Sequence, residues 1–204
     1  EVIDLILTNL SLREVLENIL IFCSNRMLKV QEPVSKKICN ALQAPNKVIS
    51  ETKLHPIYIF QLMKELEKRL TIYHDLSAHK NENGNAAAAE VAKPERKFSN
   101  PYVIKKMQNL FTQTLNEQPK TGCRFYVTVN FRKFSKRQAK VFGMNEVLCS
   151  ELQAIIALAL LKNEKEVSVM SFSDSNAQLK PVEWSSDTSY DKAMEIYSKE
   201  IVRN

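Results

Sequence analysis

Lys120-Thr121-Gly122-Cys123-Arg124-Phe125-Tyr126-Val127-Thr128-Val129-Asn130 reads as a β-strand led in by a glycine turn. Its β-branched and aromatic side chains suit a pleated, half-buried surface. The strand stops at Phe131-Arg132-Lys133-Phe134-Ser135-Lys136-Arg137, where cations, a hydroxyl and two rings crowd together. Residues 118–145 carry seven lysines and arginines and no carboxylate, while the whole chain of 204 residues has a formal charge of only +6. The basicity is therefore local. Loops at the C-terminal ends of strands in α/β sheets are the usual ligand sites, which makes this segment the first candidate for function.

Around this strand the second half of the chain alternates strand and helix. Asn100-Pro101 starts a helix whose Ile104, Met107, Leu110, Phe111 and Leu115 share a face. After the first strand come a helix over about 145–161, a second strand over 167–172 and a last helix. That helix has Tyr190, Ala193, Met194, Tyr197 and Ile201 on one stripe. The pattern implies an α/β sheet covered on its faces. Two strands make only the first part of such a domain.

The first half reads as helices. Ser11-Leu12-Arg13-Glu14 has capping-box spacing before an amphipathic run through Leu12, Val15, Leu16, Ile19, Leu20 and Cys23. Pro33 suits the first turn of a second helix, through Ile38, Cys39 and Leu42, because it has no N–H to leave unpaired. A third helix follows Leu54-His55-Pro56 and runs through Ile59, Phe60, Met63, Leu66 and Leu70. Short helices with short links and no strand pattern argue for stacked helix pairs. From about Ser77 to Ser99, Asn, Lys, Glu and Ala dominate, including Ala86–Ala89. Few large apolar groups are present to offset the ordering entropy, and a flexible insertion is expected there.

Composition removes several classes of function. The three glycines, Gly84, Gly122 and Gly143, exclude a Walker loop or a dinucleotide fingerprint. Cys23, Cys39, Cys123 and Cys149 lie far apart with no C-x-x-C pair, and read as reduced thiols in an intracellular protein. Glu1-Val2-Ile3-Asp4 does not open a secretory signal, and the longest apolar run, Ala154 to Leu161, is too short to span a bilayer. Ser173-Asp174-Ser175 lacks a nucleophile elbow, and no histidine occurs in the second half to serve as base. His55, before Pro56, reads as a structural hydrogen-bonding group, and Trp184 as core or strand-edge packing.

Taken in order, three segments resemble the Ro autoantigen family, in which a TROVE ring of helical repeats precedes a von Willebrand factor A-like domain. They are Lys53-Leu54-His55-Pro56-Ile57-Tyr58-Ile59, the strand Lys120–Val129, and Val169-Met170-Ser171-Phe172-Ser173-Asp174. The resemblance implies the C-terminal part of a helical-repeat, HEAT-like ring over 1–76 and a linker or insertion over 77–99. Over 100–204 it implies a partial von Willebrand A-like, Rossmann-type domain. A-domains that bind a divalent cation place Asp-x-Ser-x-Ser after the first strand, because magnesium requires hard oxygen ligands. The corresponding positions here are Asn130, Arg132 and Phe134. A guanidinium and a phenyl ring cannot ligate a cation, so the metal site is expected to be degenerate and no cofactor is expected.

The resemblance implies a non-catalytic, noncoding-RNA-binding component of a ribonucleoprotein particle, with Y-RNA-like or misfolded RNA as partner. The candidate RNA-binding residues are Arg132, Lys133, Phe134, Lys136, Arg137 and Lys140. Clustered cations gain affinity by releasing counterions, and Phe131 or Phe134 is positioned in sequence to stack on an unpaired base. A solvated basic loop is the plain alternative for this stretch. In place of a metal, Arg132 with Lys133 and Asn130 would make a permanent anion site. The alternative function is a protein-interaction module whose degenerate, metal-free A-domain docks protein partners at its top face. A monomer is expected, cytoplasmic with the nucleus as a second compartment, and without a membrane partner.

Overall fold

A computed structural model of the chain describes residues 9–30, 32–43, 49, 51–78, 100–132, 140–172 and 178–203, without the side chains of 70–78, 145 and 201–203. The expected insertion therefore lies, from residue 79 onward, outside the described residues. Two compact units form: residues 1–45 with 62–110, and 46–61 with 111–204.

The first unit is helical. α1 (Leu12–Ser24) starts at Ser11, whose hydroxyl accepts from the Glu14 N–H while its own N–H donates to Glu14 Oε2 at 2.7 Å. The Ser11 hydroxyl also donates to Glu14 Oε2 at 2.6 Å, and this bond, followed by that from the Ser11 N–H, holds the Glu14 carboxyl below its ordinary range. The helix buries Leu12, Val15, Leu16, Ile19 and Cys23, the periodic set that the sequence predicts. α2 (Pro33–Ala41) carries its proline in the first turn and packs on α1. α3 (Pro56–Ala78) and α4 (Pro101–Asn116) contribute their 62–78 and 101–110 segments to this unit. Asn100, only 1% exposed, does two jobs. Its Oδ1 caps α4 by accepting from the N–H groups of Tyr102 (3.1 Å) and Val103 (3.3 Å). Its Nδ2 donates to the Leu28 carbonyl at 2.9 Å and to Ser35 Oγ. One buried amide thus satisfies a helix end and fastens it to the chain around α1 and α2, where unpaired polar groups would be costly.

The second unit adds the start of α3 and the end of α4 to the sheet region. Its elements are β1 (Arg124–Asn130), β2 (Lys140–Val141), β3 (Met144–Leu148), α5 (Cys149–Asn163), β4 (Glu166–Phe172), β5 (Lys180–Pro181) and α6 (Tyr190–Arg203). β4 runs between a parallel β1, paired from Arg124↔Glu166 to Asn130↔Phe172, and an antiparallel β5. β2 and β3 form a separate hairpin. Phe60, Phe111 and Tyr190 join α3, α4 and α6 in a ring cluster with centroids 5.1–5.5 Å apart. Asn163 secures the end of α4: its Nδ2 donates to the Leu115 carbonyl and its Oδ1 accepts from the Gln118 N–H.

One expectation changes. Residues 145–148 are strand, and the helix begins at Cys149. The Phe142–Gly143 turn, with Gly143 at φ +79°, folds Met144–Leu148 back on Lys140–Val141, and that pairing outweighs a weak local helical pattern. Within this chain the two faces of the β1–β4 sheet differ in exposure. α5 packs against β1 and β4, and the face of Val129, Val169 and Ser171 is buried. On the other face Arg124, Tyr126, Thr128, Glu166 and Ser168 are exposed. Among the described residues no helix is long and apolar enough to cross a membrane.

Candidate functional site

The C-terminal end of β1 is built by hydrogen bonds from three directions. Asn130 N donates to Gln153 Oε1 of α5 at 2.8 Å, and Tyr197 Oη of α6 donates to the Asn130 carbonyl at 2.7 Å. The Asn130 side-chain oxygen accepts from the Arg132 N–H at 2.9 Å, a local turn typical of Asn. The strand end is therefore rigidly placed by two helices, and the residue after the turn is delivered to the surface. Arg132 is exposed, with its guanidinium carbon 5.3 Å from the centroid of the Phe172 ring at the end of the neighbouring strand.

Of the candidate contact residues, Arg132 and Lys140 are described and both are exposed. Lys133, Phe134, Lys136 and Arg137 lie outside the described residues. Phe131 is not a stacking residue: it is buried, with its ring 4.8 Å from Tyr197 and 6.2 Å from Trp184. The reason is register. Phe131 continues the odd-numbered side of β1, the side α5 covers, and its N–H still donates to the Phe172 carbonyl as one more step of the ladder. Trp184 is buried beside it, and its Nε1 finds no hydrogen-bond partner.

Of the positions expected to correspond to metal ligands, Asn130 and Arg132 are described and Phe134 lies outside the described residues. The Asn130 amide oxygen is engaged by the Arg132 backbone, and Arg132 presents a cation. Among the described residues no group of three His, Cys, Asp or Glu is placed to hold a metal ion.

The opposite end of the strands carries a cavity of about 480 Å³ between the starts of β1 and β4. Its carboxylates are committed. Glu164 accepts from the N–H groups of Thr121 and Gly122, bonds that keep its carboxyl below the usual range, led by the Thr121 N–H. Glu166 pairs with Arg124. Gly122 adopts φ +70°, the left-handed conformation that aims two successive amides at one anion, and Glu164 is that anion. Elsewhere His55 caps α3: its Nδ1 accepts from the Ile57 N–H at 3.2 Å, and burial pushes its pKa down.

One large side chain on the even-numbered side of β1 is Tyr126. It is 62% exposed in mid-strand. The alternation of Arg124, Tyr126, Thr128 and Asn130 against Phe125, Val127 and Val129 is the signal for a polar face.

These elements define a mixed architecture: a helical unit, and a unit in which helices pack on a small, mainly parallel sheet. The chain has a Ro-like fold. It is similar to the crystal structure of the Deinococcus radiodurans Ro (RSR) protein, with a TM-score of 0.68 and 13% identity. The match covers 93% of this chain and 34% of that one, so this chain spans about a third of that protein's length. No protein-family model matches the sequence, and no curated protein matches it.

Proposed function

We propose that this chain belongs to a non-catalytic RNA-binding protein of a ribonucleoprotein particle. Its helices form the C-terminal part of a helical-repeat ring, and its sheet is the first part of a metal-free von Willebrand A-like domain. The observation that carries this reading is Arg132. It is exposed at the C-terminal end of β1, where a cation would sit in a metal-binding A-domain, at the head of the basic run 132–140. A guanidinium there offers directed donors to phosphate and stays charged at physiological pH. The Ro-like fold supports the class of ligand. Small noncoding RNA or the single-stranded end of a misfolded RNA is the proposed partner.

The test is binding of a labelled single-stranded RNA over a series of salt concentrations. Each phosphate contact should add roughly 0.7 to the logarithmic salt slope for a single strand. No binding at low salt would refute the proposal. A second reading, docking of a protein partner, is favoured by Phe142, which stands fully exposed at the tip of the β2–β3 turn. Salt-insensitive capture of a defined protein partner, lost in Phe142→Ser, would put that reading first.

A further inference from the structure

Tyr190 and Tyr197 stand two helical turns apart on one stripe of α6, about 10 Å along its axis. Tyr190 anchors the start of the helix, with its ring 5.1 Å from Phe60 and 5.5 Å from Phe111. Ala193 between them is buried, and α6 packs on α5. Tyr197, only 2% exposed, sets its ring edge-on to Phe131 at 4.8 Å. Groups buried within this chain stay buried whatever else packs on its surface. A phenylalanine at 197 would fill the same space, so packing does not explain the hydroxyl.

That hydroxyl donates to the Asn130 carbonyl at 2.7 Å, while the N–H of Phe131 donates to the Phe172 carbonyl at 2.9 Å. Both bonds act on one peptide unit, between Asn130 and Phe131. The oxygen and the N–H of a trans peptide point opposite ways, so the unit is braced from two sides and its plane cannot turn. Gln153 Oε1 fixes the preceding peptide by accepting from the Asn130 N–H, and the Asn130 side chain fixes the following one through the Arg132 N–H. Three successive peptides leading to Arg132 are therefore held, two of them by helix side chains.

We propose that Tyr197, with Gln153, is a positioning residue of the strand-end anion site: its hydroxyl holds the chain so that the Arg132 guanidinium meets a phosphate. The inference rests on the RNA reading above and adds what aims the cation. A guanidinium carries its donors in a rigid planar fork, whose gain over a diffuse charge depends on direction. Only the correctly placed fraction of molecules makes that contact, and the apparent Kd rises as the fraction falls.

The test uses the full chain and a labelled ten-nucleotide oligouridylate at low salt, in a double-mutant cycle. Tyr197→Phe, which keeps the ring against Phe131, is expected to weaken binding by about 3- to 10-fold, the range of one net hydrogen bond. In an Arg132→Ala background the same substitution should change binding by less than about twofold, the scatter of uncoupled sites. Gln153→Met, which removes the acceptor on the preceding peptide, should show the same dependence on Arg132, and decides the matter if Tyr197→Phe does not fold. If the parent binds RNA and Tyr197→Phe binds equally well, the positioning role is wrong while the RNA reading stands. An equal loss in both backgrounds shows that the hydroxyl merely supports the fold, and overturns the proposal. If the parent binds no RNA, both fall.

Discussion

The side-chain oxygen of Asn130 accepts a hydrogen bond from the backbone N–H of Arg132 at 2.9 Å. That bond closes the turn that ends β1 and lifts Arg132 to the surface. It uses one of the two lone pairs of that oxygen. Replacing Asn130 with Ala is expected to cost about 1 kcal/mol, the usual worth of one such bond, while Asn130→Asp keeps the acceptor and most of the stability. Thermal melts should show no stabilisation by millimolar magnesium. A bound cation at a hundredfold excess over its Kd would add about 2.7 kcal/mol, and a magnesium-dependent rise that vanishes in Asn130→Ala would show this site to be misread.

Neutralising Arg132, Lys133, Lys136, Arg137 and Lys140 to alanine together should weaken single-stranded RNA binding evenly across sequences. The salt slope should flatten by roughly 0.7 per phosphate contact removed. Undiminished affinity at low salt would return this run to an ordinary solvated surface.

His55 makes the fold sensitive to mild acid. Its pKa is lowered in the folded chain by burial, and its Nδ1 must stay unprotonated to accept from Ile57. The unfolded chain therefore binds a proton first. The contribution is fully present above about pH 6.5 and declines as pH falls through that value toward the lower folded pKa. His55→Asn, which caps without titrating near neutrality, should flatten the stability curve between pH 7 and pH 5.5. His55→Ala should lose about 1 kcal/mol at pH 7, a deficit that shrinks as the parent's own contribution declines toward pH 5.5. Parallel curves for parent and His55→Asn would contradict this assignment.

Asn100→Ala should be among the most damaging polar substitutions in the helical unit. It removes the α4 cap and strands the buried Leu28 carbonyl and Ser35 hydroxyl. A loss of about 2–4 kcal/mol is expected in chemical denaturation, combining the cap with the unmet acceptor. Asn100→Asp should retain the cap but lose both donations, and fall between the two.

Parts of the candidate site were legible from the order of residues. The end of β1 and the exposed position of Arg132 follow from residue types at successive positions. The burial of Phe131 did not. It looked available because it adjoins a basic run, yet strand parity turns it inward onto Tyr197 and Trp184.

Local chemistry alone settled the helices and the two main strands. The 3.6-residue stripes, the Ser11–Glu14 box and the prolines at helix starts act within a turn or two of chain, so a linear sequence displays them. Pairing and covering were decided by tertiary structure. The β2–β3 hairpin exists because Gly143 lets Met144–Leu148 meet Lys140–Val141. α5 meets β1 and β4 on the side of Val129, Val169 and Ser171, a choice no local pattern makes. A period of two tells that the faces of a strand differ, but what lies against each face depends on segments distant in sequence, and only their packing assigns it.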